Sequence, residues 1–389
     1  MMVDTPPPAK ASEPMPGWLG QPEPLCAREV AHWQDFVFDR DHDPGAASAW
    51  LAVFYRGFVK AIRIPVGVPT PVPFPPREPA FAIPPLRDET ALFDRLAGRY
   101  GDASRGSAVF NYLLSAAAVF AALIGFVLHS DSTVLGSIEV LVLALIAAVY
   151  VVGRGTHPEH EAAGGGRLFC QRWHERWLDY RGLAERFRYA ELLGLLQHDA
   201  GAATGSAQHE ETEDWPSRYL DAHLRGVEWT PRNTADYGAN LLAALDEQQR
   251  YHRGNGHLCR QLSHHLHLVT VCAFLLSLLA ASLHLGFLVR GQHLGSWWIV
   301  ATAGLPALAA ALHGIHNACE YAKLARTSEH MESALTTLRR ATEDLLAREP
   351  APPTEAAALP VLIGRFLHLS TDEASGWRAA LWDKNVPLA

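Results

Sequence analysis

The stretch LHLVTVCAFLLSLLAASLHLGFLV, residues 266–289, runs for 24 residues without an aspartate, glutamate, lysine or arginine. A helix rises about 1.5 Å per residue, so about 20 apolar residues cross the hydrocarbon of a bilayer. Three other stretches meet that length. They are residues 109–128, residues 134–152, interrupted only by Glu139, and residues 297–315, which open on Trp297 and Trp298. Tryptophan favours the membrane interface, so that pair marks a boundary.

The segments around these spans set their orientation. The link at residues 129–133 has no lysine or arginine, and the link at residues 290–296 has only Arg290. The outer flanks are basic: Arg95, Arg99 and Arg105 precede the first span, and Arg154, Arg167 and Arg172 follow the second. Arg250, Arg253 and Arg260 precede the third, and Lys323 and Arg326 follow the fourth. Basic residues stay on the cytoplasmic side. The expected fold is therefore an all-α membrane protein. It has four transmembrane helices in two hairpins, plus long cytoplasmic helices forming a coiled-coil-like stalk. Both termini are cytoplasmic, and the lipid bilayer is the first partner.

Outside the spans the chain is polar. Its net charge of -8 excludes the basic excess of a nucleic-acid binder. Five cysteines, an odd number without CxxC spacing, fit a reducing compartment. The N-terminus lacks a basic region followed by an apolar one, so it does not read as a signal peptide.

The same plan occurs twice: an amphipathic helix, two spans, then a long charged helix. It divides the chain into a Pro-rich N-terminal region, 1–86, and a first two-span unit, 87–200. A linker with a short amphipathic segment, 201–236, leads to a second two-span unit, 237–349, and a C-terminal unit, 350–389. Each unit crosses an even number of times, which predicts a pseudo-two-fold axis along the membrane normal and a four-helix membrane bundle. After the second span, Trp173, Trp177, Tyr180, Ala184 and Phe187 recur at spacings of 4, 3, 4 and 3. After the fourth, Leu324, Met331, Leu335, Leu338 and Leu345 form a similar seam. Such seams pack within the chain or between subunits of a homo-oligomer. Residues 46–64 read as a basic amphipathic helix, with Arg56, Lys60 and Arg63 on one side. It lies on the inner leaflet or docks on the stalk.

Few residues offer chemistry. Glu139 is the sharpest, because an ionisable group inside a bilayer is costly and usually faces a pathway; the alternative is solvation near the outer interface. With Asn111, Ser115, Ser277 and Thr302 it makes up the candidate pore lining. His252, His257, His264, His265 and His267 cluster before the third span with Cys259, but no HExxH or paired CxxC frames a metal site. Residues 164–166 are three glycines without the lysine and hydroxyl of a phosphate loop. No catalytic, cofactor or metal site is expected.

The stretch His174-Glu175-Arg176-Trp177-Leu178-Asp179-Tyr180-Arg181, continuing through Glu185 and Arg188, resembles the helix that follows the hairpin in the SLATT superfamily. Gln249-Arg250-Tyr251-His252 resembles that family's Q-x-YH, and Glu320-Tyr321 with Ser328-Glu329-His330-Met331 resembles its trailing helix. The resemblance runs from about residue 76 to the C-terminus. It implies a pore-forming or membrane-perturbing effector of bacterial antiviral defence in the inner membrane, in a family linked to nucleotide-generating or ligand-sensing systems. Many long relatives carry an upstream sensor domain. Residues 1–86 are too short and Pro-rich for one, so a separate cytoplasmic sensor protein is implied. The rival expectation is a non-conducting scaffold that recruits cytoplasmic partners.

Overall fold

A computed structural model describes residues 27–41, 46–63, 77–128, 133–154, 172–200, 215–225, 227, 233–291, 295, 297–348 and 358–381. The links 129–132 and 201–214, the three glycines at 164–166, Cys26, Cys170 and most of the Pro-rich segment lie outside them. Among the described residues the chain is all helix, with no strand.

The helices are α1 (Ala27–Asp41), α2 (Ala46–Ile62), α3 (Pro84–Val127), α4 (Thr133–Arg154) and α5 (Trp173–Ala200). They continue as α6 (Trp215–Arg225), α7 (Thr234–Val289), α8, α9 (Tyr321–Leu346) and α10 (Ala358–Leu381). α8 starts as Trp297–Ile299, passes through a π-helical segment, Val300–Gly304, and resumes as Leu305–Cys319.

Local chemistry sets the boundaries. Two prolines open α3, where the missing N–H costs nothing and the fixed φ suits a helix. Asn233 caps α7, its side chain accepting from the Asp236 N–H at 2.8 Å, with Asp236 itself in the positive first turn. Glu320 breaks α8 from α9 with a left-handed backbone, φ 49°. The π-helical segment has a cause two residues on. Pro306 has no N–H to give the Thr302 carbonyl, and a neighbouring helix compensates: the Ser277 hydroxyl donates to that carbonyl at 3.4 Å.

Four helices are long and apolar enough to cross a membrane, and each expected span falls within one of them: α3, α4, α7 and the helical stretch from Trp297. α3 has 44 residues and α7 has 56, so each extends well past its apolar part. At about 1.5 Å per residue they reach roughly 66 and 84 Å. Both are continuous rods from a polar body into the apolar layer.

The apolar helices do not close into the expected bundle. They stand in a row, α4, α3, α8, α7, each packed on its neighbours, and the outer two share no extended packing. The reason lies between α3 and α8. A Cβ on Gly304 would come within 2.4 Å of Phe120, and one on Gly314 within 2.4 Å of Tyr112. These glycines let two spans from different halves approach closely, as small residues do in lipid. The row leaves Val140 and Leu141 on α4, and Leu275, Leu278 and Leu285 on α7, exposed as large apolar side chains.

In the polar body α3 packs on α5, and α7 packs on α9, so each half folds its trailing helix back on its leading one. The apolar seams are spent in these contacts. Trp173, Tyr180, Ala184 and Phe187 are buried, as are Leu324, Met331, Leu335 and Leu338. Trp177 and Leu345 of the same seams are partly buried. α2 docks on α3 rather than standing apart: Leu51 and Ala52 are fully buried, and the Leu51 carbonyl sits where a Cβ on Gly106 would be. Its Arg56, Lys60 and Arg63 remain exposed. α10 packs on both α5 and α9, joining the two halves.

Candidate functional site

The five candidate pore residues do not converge within the chain. Asn111 is fully buried on α3, and its carbonyl accepts from the Ser115 hydroxyl at 3.0 Å. Ser277 is buried on α7 against Thr302, whose own hydroxyl donates to the Trp298 carbonyl at 2.9 Å. Of these bonds only the one from Ser277 to the Thr302 carbonyl joins two spans. Glu139 stands apart on α4, at one end of the row. It is partly buried and has no hydrogen bond or ion pair among the described residues.

The family-like residues of α5 form a dense electrostatic seam. His174 lies 3.5 Å from the Ser104 hydroxyl and packs edge-on against Trp177. Arg181 pairs with Glu185, and Arg188 reaches both Glu185, at 2.7 Å, and Asp94. Burial alone would raise the Glu185 carboxyl; Arg181 and Arg188 hold it below the usual range. On the second half, Glu320 sits at the kink and pairs with Lys323 at 3.7 Å, while Met331 is buried between α9 and α7.

α1 carries a functional cluster that sequence reasoning missed. His32, on α1, places its Nδ1 2.7 Å from Asp179 and its Nε2 3.0 Å from Glu175, both on α5. One turn on, Asp35 meets Arg172 and Arg176, and Asp39 takes Arg176 at 3.1 Å. The Tyr100 and Tyr180 hydroxyls donate to Asp39 at 2.7 and 2.6 Å. Beside this network Phe36 stacks on Phe93 and on Trp215. An i, i+3, i+7 pattern of charge on α1 was the available signal, but a pattern on one helix does not name its partner.

Burial pulls the His32 imidazole down, yet the Asp179 charge and the hydrogen bonds the ring donates to Asp179 and Glu175 outweigh it and raise its pKa to about 9. Unfolded, it titrates near 6.5. The stability from this cation is therefore complete below pH 6.5 and is lost as the pH rises through 9. The expected result is an apparent melting temperature in detergent that falls between pH 6.5 and 9, from loss of up to about 3 kcal/mol. His32→Asn removes that slope. An identical slope in the variant would mean that another group titrates.

Among the described residues no three histidine, cysteine or acidic side chains are grouped to hold a metal ion. The His316 Nε2 instead lies 2.9 Å from the Ser263 hydroxyl, and the His313 Nε2 lies 3.1 Å from Asn317. One cavity opens between α3, α5 and α7, bordered by Arg105, Trp177, Arg181 and Tyr251. Comparison of the chain with family models, with curated proteins and with solved structures finds no match.

Proposed function

We propose that this chain is an integral membrane effector of a bacterial conflict or antiphage defence system, in which a helical cytoplasmic body controls the spans. The observation that carries the coupling is the continuity of α3 and α7, each one unbroken helix through both the polar body and an apolar span. A shift in the body is then a shift in the membrane, with no hinge between. The basic flanks favour a cytoplasmic body and an inner-membrane location. The defence role and the pore-forming or membrane-perturbing outcome rest on the resemblance of the α5 and α9 sequences to the SLATT superfamily. The open row supports assembly into a homo-oligomer. A carboxylate on the end helix of a lone row would border lipid, and a second copy would cover it.

A second reading, a non-conducting scaffold that recruits cytoplasmic partners, is favoured by one specific observation. The Ser277 hydroxyl is used between spans of the same chain, and Asn111 is buried within it. Expression in a bacterial host with a membrane-potential dye separates the two. The effector reading expects depolarisation by the full chain, an altered response in Glu139→Ala, and none after truncation at Ala322. An intact potential with the chain verified in the membrane fraction would favour the scaffold.

A further inference from the structure

The cavity between α3, α5 and α7 holds about 200 Å³. Three of its lining residues are glycines in helix interiors; a Cβ on Gly101 would meet Trp177 at 2.9 Å, but one on Gly98 or Gly182 meets nothing within 4 Å. Each of the latter two costs about 1 kcal/mol of helix propensity relative to alanine, and no close approach requires either. At Gly182, which is half-buried, a side chain would extend into that open space.

The charges around it are unevenly matched. Three carboxylates line it, and each meets an arginine: Asp94 meets Arg188, Glu185 meets Arg181 and Arg188, and Asp102 meets Arg56 at 3.4 Å. Arg181 also lies over the Tyr251 ring at 5.0 Å. Arg105 is different. Its guanidinium lies 4.6 Å over Trp177 and has no hydrogen bond or ion pair among the described residues. Asp102, one turn away on α3, is close enough to feel its charge. The hydroxyls of Tyr55 and Tyr321, joined at 2.9 Å, also lie within its electrostatic reach. A partly buried guanidinium, always charged, is left facing a cavity with aromatic walls.

We propose that this cavity binds a small organic anion, a carboxylate or phosphate on an apolar body about the size of one ring. Its charge sits on Arg105 and its body against Trp177 and Tyr251. An engineered cavity of comparable size, about 150 Å³, takes a benzene. The walls come from both halves of the chain, α3 and α5 from one and α7 from the other, with Ser370 of α10 beside them, and α5 and α7 share little other contact. An occupant therefore bridges the halves and biases whichever arrangement it fits best. This deepens, and rests on, the reading of the body as a receiver. Arg105 is four residues before the first apolar stretch, roughly 6 Å along the helix, so the anion comes either from solution or from a lipid headgroup.

The full chain in neutral detergent is titrated with benzoate, with phenyl phosphate and with phosphatidylglycerol in mixed micelles, following tryptophan fluorescence and apparent melting temperature. Saturable binding by a soluble anion is expected, weakened at least about tenfold in Arg105→Gln and abolished in Gly182→Leu, which fills the space. Gly182→Ala, which adds one carbon to open space, melts no lower than wild type and shows that the site tolerates substitution. Saturation by phosphatidylglycerol alone, with the same variant pattern, assigns the site to a lipid headgroup. No saturable binding by any of the three, or equal binding in every variant, overturns the proposal. Binding is read without reference to conduction, so failure here leaves the effector reading standing, and failure of the dye assay leaves this one.

Discussion

Asp39→Ala is expected to unseat α1 from the polar body. The carboxylate is 3% exposed and holds Arg176, Tyr100 and Tyr180 at once. Its removal leaves the buried Arg176 guanidinium with one carboxylate, Asp35 at 2.8 Å, and the neutral Tyr100 hydroxyl at 2.9 Å, and leaves two buried hydroxyls without their acceptor. Breaking such a buried pair costs about 3 kcal/mol or more. Burial pushes the Asp39 carboxyl above the usual range even with Arg176 and both hydroxyls holding it. What the network does is select one seat for α1, because any other leaves charges buried and unpaired. Hydrogen exchange over residues 27–41 is the direct readout, and protection should fall sharply. Asp39→Asn, which keeps an acceptor for the tyrosines, should lose less. Unchanged protection in Asp39→Ala would show that the aromatic cluster around Phe36 holds α1 unaided.

Gly314→Leu strikes the joint between the halves. The Tyr112 ring already occupies the space of a Cβ at 314, and leucine brings three carbons more. Overpacking of this kind costs about 3 kcal/mol, and here the load falls where α3 meets α8, the middle of the row. The expected result is a lower apparent melting temperature in detergent. Adding Tyr112→Ala should restore part of it, although Tyr112→Ala alone removes packing. That coupling is what a direct contact produces and a remote effect does not. Additive losses would mean that α3 and α8 separate at this point in the folded protein.

The spans were legible because lipid leaves one signal, an apolar run of fixed length with almost no charge, and residues 109–128, 134–152 (with Glu139 alone charged), 266–289 and 297–315 each carry it. The seams on α5 and α9 were legible as periodicity. Their partners were not, because a heptad says that a face is buried and not against what; Trp173 and Phe187 turn out to face α1, α3 and α6. The row in place of a bundle depends on Gly304 and Gly314 finding Phe120 and Tyr112, about 190 residues away in sequence, which no local pattern encodes. The π-helical segment was foreshadowed by Pro306, but not its repair by Ser277. Arg105 read as one more basic flank. Its isolation follows from how arginines and carboxylates elsewhere pair, which only the packed structure fixes.

In the proposed topology the polar body lies wholly on one side of the bilayer, with α3 and α7 passing from it through the membrane. Single cysteines introduced at Ser132 and Gln292, in the links between paired spans, and at Ser217 and Ser333, in the body, test this with a membrane-impermeant maleimide against the wild-type background. In intact cells with a permeable outer membrane, the account predicts labelling at Ser132 and Gln292, and labelling at Ser217 and Ser333 only after the inner membrane is opened. Labelling of Ser217 or Ser333 in intact cells, or protection of either link, would contradict it.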